Sequence, residues 1–337
     1  MKINAGEDSE NLPALLEKIL EEEYRISVSG MERLNIGFDQ NTAVYKVFPK
    51  EGKEYFVKLR YSVFNESSLA IPLWIINNTN TKNIIDIVKT RGGKLYVKKS
   101  RLYFFVYPFV EGQSGWKKPL TKNQFIDFGK FMSRLHSLEL PDKYKKLLPV
   151  EQFDSKYRKG LKKYLNGLGE KNCENRLTIE FFETLKKKKD VIHEIINIAE
   201  ASAKQAKQNP GKLCLCHGDI HAGNVLIGET GFYVIDWDTI ILSPKEKDLM
   251  FIGAGIGGKW NSERERGLFY SGYGERANVN TELIKYYRHE RIVQDIYEFF
   301  QQIVDPLTDD TTRKSCLKHF NGQFEPNNVV DIALKTG

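Results

Sequence analysis

His217-Gly218-Asp219-Ile220-His221-Ala222-Gly223-Asn224, followed by Val225-Leu226-Ile227, Gly228-Glu229-Thr230-Gly231, Phe232-Tyr233-Val234-Ile235 and Asp236-Trp237-Asp238, is a β-like island in a stretch that otherwise reads as helix. Its two apolar runs are joined by a short segment with glycine at each end, which predicts a tight antiparallel hairpin. Asn224 immediately precedes the first run and Asp236 immediately follows the second. A hairpin gathers both residues at its open end. The preceding loop brings Asp219 to the same edge, and Leu213-Cys214-Leu215-Cys216, just upstream, also has a strand-like pattern.

An amide oxygen and a carboxylate are hard ligands suited to magnesium, which keeps waters and takes phosphate oxygens for the rest of its shell. Asn224 and Asp236 are therefore the candidate metal ligands, and Asp219 is placed to orient an attacking hydroxyl. No serine-histidine-aspartate or cysteine-histidine pairing stands out, so that hydroxyl is expected to belong to a substrate. His217 and His221 flank Asp219 and read as braces for the loop backbone. His136, on a helical pattern with Met132, reads as a core or boundary histidine, and Trp237 and Trp260 as packing residues.

Working outward, Leu15, Leu16, Ile19 and Leu20 sit at helical spacing among glutamates and predict an amphipathic helix over Leu12 to Tyr24. The runs Val44 to Val47 and Tyr55 to Leu59 flank the turn-forming Pro49-Lys50-Glu51-Gly52 and predict a hairpin. A second strand pair is expected at Leu95 to Val97 and Leu102 to Val106, with a helical segment from Asn65 to Ile75 between the pairs. Tyr107-Pro108-Phe109-Val110-Glu111-Gly112 then interrupts a strand just where the pattern becomes helical, which places a lobe boundary there. From Thr121 onward Phe125, Phe128, Met132 and Leu135 follow helical spacing, and charged helices are expected from Tyr157 to Gln208.

The chain has 337 residues, 41% of them hydrophobic, enough to bury a substantial core in two lobes. No apolar run reaches the roughly 18 residues of a membrane span. Met1 to Glu10 lacks the basic and apolar regions of a secretory leader, so a cytoplasmic location is expected. Cys173, Cys214, Cys216 and Cys316 show no disulfide spacing, and Cys214-x-Cys216 has no second pair to complete a zinc site, so all four are expected as reduced thiols. The net charge is +7. Lys186 to Lys189 nevertheless reads as a solvated helix face and not as a nucleic-acid tract. Gly253-x-Gly255-x-x-Gly258-Lys259 approaches two phosphate-binding fingerprints. It carries Trp260 where one needs Ser or Thr, and it lacks the preceding strand that the other needs.

The combination His217-x-Asp219-x-x-x-x-Asn224 with Ile235-Asp236-Trp237-Asp238 resembles the catalytic and metal-binding loops of the kinase-like phosphotransferases. His221 and Gly223 within the loop, and Trp237 after the metal aspartate, look like the aminoglycoside and choline kinase branch of the aminoglycoside phosphotransferase family. Ser243 to Gly253, Tyr286 to Ile292 and Pro326 to Val330 look more narrowly like the spectinomycin phosphotransferases. The resemblance implies an α+β, two-lobed protein-kinase-like fold, with a small β-rich nucleotide-binding lobe over residues 1–107 and a larger, mostly helical catalytic and substrate-binding lobe over 108–337.

It further implies a lysine on the third strand that grips the nucleotide phosphates and is held by a helix glutamate, roles that fall to Lys58 and Glu66. The turn Leu34 to Asn41, with Asn35, would cover the phosphates, and the Pro108 carbonyl and Val110 amide would read adenine. The expected reaction is magnesium- and ATP-dependent transfer to a hydroxyl of an aminoglycoside or aminocyclitol, with GTP also admissible. Asp238, Glu290 and Asp295 are candidates to bind that cationic substrate. A kinase of choline, ethanolamine, homoserine or a thiosugar, and a nucleotide-binding pseudokinase, are the alternatives. A monomer with no nucleic-acid or membrane partner is expected.

Overall fold

The computed structural model describes residues 12–34, 42–61, 63–167, 174–274 and 278–335. Asn35 and most of the turn that contains it lie outside the described residues. Two compact units result, one of residues 1–113 with 226–238 and the other of 114–225 with 239–337.

The first unit opens with helix α1 (Leu12–Tyr24), followed by strands β1 (Val28–Leu34), β2 (Thr42–Pro49) and β3 (Tyr55–Arg60), helix α2 (Ser67–Asn78), then β4 (Val97–Lys99) and β5 (Leu102–Pro108). These strands form one sheet in the order β1-β2-β3-β5-β4, antiparallel throughout. Strand alternation divides its residues between two apolar clusters. Val57, Leu59, Phe104 and Val106 pack with Leu16, Ile19 and Leu20 of α1. Phe105 packs with Leu69 of α2 and with Ile87. Lys58 lies between Val57 and Leu59 and opposite Phe105, so the pleat turns its ammonium away from the α1 cluster.

Strands β6 (Gly112–Ser114), β8 (Val225–Gly228) and β9 (Phe232–Val234) make a three-stranded sheet in the order β6-β8-β9. The expected hairpin is therefore present, closed by a bond from the Gly228 amide to the Gly231 carbonyl at 2.9 Å. The Asn83 carbonyl accepts from the Val234 amide at 2.7 Å and ties β9 to the segment after α2.

The second unit is mostly helical: α3 (Lys122–His136), α4 (Asp142–Lys145), α5 (Lys156–Asn166), α6 (Arg176–Lys187), α7 (Lys189–Gln208), α8 (Glu246–Leu249), α9 (Glu263–Tyr273), α10 (Thr281–Val304), α11 (Asp310–Gln323) and α12 (Val329–Lys335). Its core is built from the apolar faces of α5, α6, α7, α10, α11 and α12, with Phe181 edge-on to both Phe300 and Phe320. Strand β7 (Leu213–Cys216) pairs with β10 (Ile241–Pro244). The glycine-rich segment from Gly253 follows helix α8 and not a strand, which removes the context a phosphate loop needs.

Helix α3 begins with a capping box at Thr121 and Gln124. It meets α9 at two glycines: a β-carbon on Gly129 would stand 2.1 Å from the Phe269 carbonyl oxygen, and one on Gly272 would stand 1.9 Å from that of Ile126. Alanine favours a helix over glycine by about 1 kcal/mol. Here steric overlap should reverse the sign, and Gly129→Ala is expected to lose about 1–3 kcal/mol in urea unfolding.

Candidate active site

The segment 217–224 is held by a buried carboxylate. Asp248 Oδ2 accepts from the His217 amide at 2.8 Å, and its Oδ1 accepts from the Gly218 amide at 2.7 Å. His136 Nε2 stands 3.0 Å from the same Oδ2. Burial by itself would raise the Asp248 pKa, but the His136 bond, the nearby imidazoles and the Gly218 amide outweigh it and lower it. Gly218 has a φ of +87°, and a β-carbon there would lie 2.3 Å from the Thr239 carbonyl oxygen, so only glycine fits. His217 Nδ1 takes the Asp219 amide and His221 Nδ1 takes the Gly223 amide. Both histidines thus brace the loop, as their positions predict.

Asp219 is about a quarter exposed, and its Oδ1 receives the Arg291 guanidinium from α10. Arg291 also donates through Nε to Asp295 Oδ1 at 2.7 Å, and Gln323 Nε2 donates to the other Asp295 oxygen at 3.2 Å. Burial pushes the Asp219 carboxyl up, but Arg291 and the neighbouring imidazoles outweigh it and hold the group at about 2. It is ionised at neutral pH. Burial draws the His221 pKa down to about 4, so that ring is neutral there. Asp295 behaves oppositely: burial pushes it up to about 6 in spite of Arg291. A cavity of about 20 Å³, room for roughly one water, lies beside Arg291 and Asp295 and is otherwise lined mainly by apolar groups such as Met250, Phe251, Ile256 and Val329.

A second charge network belongs to the first unit. Lys58 Nζ reaches Asp236 Oδ1 at 3.1 Å and Asp238 Oδ2 at 2.8 Å, and Arg60 donates to that same Asp238 oxygen at 2.8 Å. Desolvation favours the neutral amine, but the two carboxylates overcome it and raise the Lys58 pKa. Asp238 is lowered, since Lys58 and Arg60 outweigh its burial. Asp236 sits at φ 62°, a left-handed conformation uncommon outside glycine and of the kind that gathers at functional sites.

The expected pairing of Lys58 with Glu66 is not formed. Glu66 is exposed, precedes the first residue of α2 without a side-chain capping bond and accepts from the Tyr96 hydroxyl at 2.7 Å, while Lys58 is taken by the aspartates after β9. Asp238, read from sequence as a substrate group, is engaged by Lys58 and Arg60 instead. Glu290 is engaged by the buried Arg158, although burial still pushes its carboxyl up to about 7. Pro108 ends β5 and Val110 follows it, with the intervening Phe109 amide bonded to the Glu54 carbonyl at 2.9 Å. Asn224 donates its side-chain N–H to the Asp219 carbonyl at 2.8 Å, which leaves the amide oxygen as the group to offer a cation.

Arg291, Arg60 and Asp248 were not singled out as site residues from sequence. Arg291 and Asp295 do stand at i and i+4 on one helix, a spacing that favours such a pair. Nothing local links Arg291 to Asp219.

A lobe built around a five-stranded sheet, a helical lobe, and a loop presenting an ionised aspartate define a kinase-like phosphotransferase. The chain belongs to the phosphotransferase enzyme family (APH), whose profile matches residues 80–282. It is an enzyme that transfers a phosphoryl group to an alcohol oxygen of a small molecule. Among solved structures it is similar to the spectinomycin phosphotransferase APH(9)-Ia in complex with ADP and spectinomycin, at 34% identity and a TM-score of 0.89, covering 96% of this chain and 98% of that one. The ethanolamine kinase of Plasmodium vivax shares the fold at 16% identity and a TM-score of 0.61, covering 100% and 93% of the two chains. The choline kinase of Streptococcus pneumoniae shares it at 14% identity and a TM-score of 0.56, covering 92% and 99%. No curated protein sequence matches significantly. Among the described residues no helix is long and apolar enough to cross a membrane.

Removing one partner from a buried ion pair leaves a buried charge and typically costs about 3–5 kcal/mol. Arg291→Met strips the cation from two carboxylates, so a loss of that order is expected in denaturant unfolding at neutral pH. The Asp219 pKa is depressed in the folded chain, so its contribution is present above the ordinary value of 3.8 and is lost as pH falls through about 2. The stability gap between the two proteins should narrow across that window.

Proposed function

We propose that the chain transfers the γ-phosphoryl group of ATP to a hydroxyl of an aminocyclitol antibiotic of the spectinomycin type, and so confers resistance to it. The observation that carries this reading is Asp219: a carboxylate kept ionised by Arg291, fixed on a loop whose backbone is clamped by Asp248. The substrate class rests on the 34% identity, along nearly the whole chain, to a phosphotransferase whose structure holds spectinomycin.

In this reading Asp219 orients the substrate hydroxyl. With one oxygen on Arg291, the other, which has His221 Nε2 at 3.6 Å, is the one to accept the hydroxyl proton. A carboxylate with a pKa of about 2 is a weak base, so positioning is its larger contribution. Phosphoryl transfer through a loose transition state asks for little more. Lys58 supplies a fixed positive charge for the nucleotide phosphates. Asn224 offers an amide oxygen, and Asp236 a carboxylate that is about half exposed. This donor set fits magnesium. When bound, magnesium neutralises charge on the transferring phosphates.

We assign adenine recognition to Pro108 and Val110, nucleotide binding to the lobe of residues 1–107 and the substrate to 108–337. Asp238, Glu290 and Asp295, each already engaged by an arginine, remain the carboxylates proposed for the cationic substrate.

A coupled ADP-release assay over a panel of aminoglycosides and aminocyclitols, with choline, ethanolamine and homoserine alongside, tests the assignment. Turnover of spectinomycin with ATP is expected, and turnover of choline with spectinomycin left untouched would overturn the substrate class. Asp219→Asn should lower kcat by about 10²–10⁴-fold while nucleotide affinity stays unchanged.

A further inference from the structure

Among the described residues one group of three side chains brings soft metal-ligating atoms together: the thiols of Cys214 and Cys216 and a ring nitrogen of His136, all within 4.8 Å of one another. The sequence offers no second cysteine pair. The fold instead supplies His136 from the end of α3.

Cys214 and Cys216 alternate with Leu215 on β7, which puts both thiols on one face of the strand. Their sulfurs are 3.8 Å apart. Two sulfurs that share a tetrahedral ion at about 2.3 Å each stand roughly 3.8 Å from one another. The spacing thus already matches one edge of such a site. A disulfide would require contraction to about 2.05 Å, and therefore bending of a strand that is paired along its length to β10.

The surroundings also suit a cation. Both thiols lie against the Ser243 carbonyl, at 3.4 and 3.5 Å, and Cys216 also lies against that of Pro244 at 3.5 Å. The His136 ring has Nε2 on Asp248 and Nδ1 on the Tyr273 hydroxyl at 2.9 Å. A carboxylate behind an imidazole is the arrangement that orients a histidine ligand. Cys216 is fully buried and Cys214 only partly so, which leaves Cys214 as the side of entry.

We propose that Cys214, Cys216 and His136 form a binding site for a thiophilic divalent cation of the zinc class, immediately upstream of the His217 to Asn224 loop. One M²⁺ and two thiols give one dithiolate complex and two protons released to solvent. With a neutral imidazole as third ligand that complex carries no net charge, so it stays buried without a counter-ion. The ring nitrogen that takes the ion gives up its present hydrogen-bond partner, together with any proton it holds there. The proposal is independent of the phosphotransfer reading.

Cd²⁺ serves as the probe, with a phosphine reductant present. In a Cys173→Ser, Cys316→Ser background only the Cys214 and Cys216 thiols remain. That protein is expected to bind one Cd²⁺ per chain in equilibrium dialysis, with a cadmium–thiolate charge-transfer band in the ultraviolet. Adding Cys214→Ser should weaken binding by at least about 100-fold, more than the loss of an outer partner costs. As a second measurement on the unsubstituted chain, maleimide labelling of Cys214 should be blocked by Cd²⁺ and restored by a chelator. Absence of the band with unaltered labelling, or full affinity retained in the Cys214→Ser protein, would overturn the proposal.

Discussion

The buried carboxylate of Asp248 is the constraint on which the loop carrying Asp219 depends. Placed alone in a side-chain environment with no solvent, it would be strongly destabilising. It is tolerated because two loop amides and an imidazole converge on it. Each of those donors is fixed by something else. His136 is carried by α3, whose distance from α9 is set by two glycines, and Gly218 adopts a backbone conformation that its neighbours leave open to no other residue. The position of Asp219 is therefore set by helix packing together with the loop's own internal bonds.

Each unit carries a cation placed between carboxylates, and the two arrangements differ in what they leave open. Arg291 lies between Asp219 and Asp295, both largely sheltered, so its charge chiefly governs protonation. Lys58 faces a half-exposed Asp236 and a less exposed Asp238 that Arg60 already shares. Lys58 thus has its charge secured while its partners remain partly accessible. Charged groups held in place before ligand arrival avoid reorganisation when the reaction demands them.

The fold was largely legible where periodicity was strong. Helix α1 runs from Leu12 to Tyr24 as the spacing of Leu16, Ile19 and Leu20 predicts, and the β2–β3 and β8–β9 hairpins follow their turn residues. Asp219, Asn224, Asp236 and Lys58 could be proposed as site residues because each lies on or close to a readable strand. Their partners could not. Arg291 reaches Asp219 across 72 positions and Arg158 reaches Glu290 across 132, and such pairings are decided by helix packing that no local pattern encodes. Glu66 shows the converse: it starts the expected helix, yet the local Tyr96 hydroxyl engages it and the aspartates after β9 engage Lys58.

The composition of the first unit has a consequence for the order in which the protein is built. Residues 226–238 belong with 1–113, although all of 114–225 is synthesised in between. At ribosomal rates of roughly 5–20 residues per second, the first unit waits on the order of ten seconds for the hairpin that carries Asp236 and Asp238. Until then Lys58 has neither carboxylate, and Asn83 lacks its backbone contact with Val234. The first unit therefore cannot close around Lys58 until its late hairpin has been made.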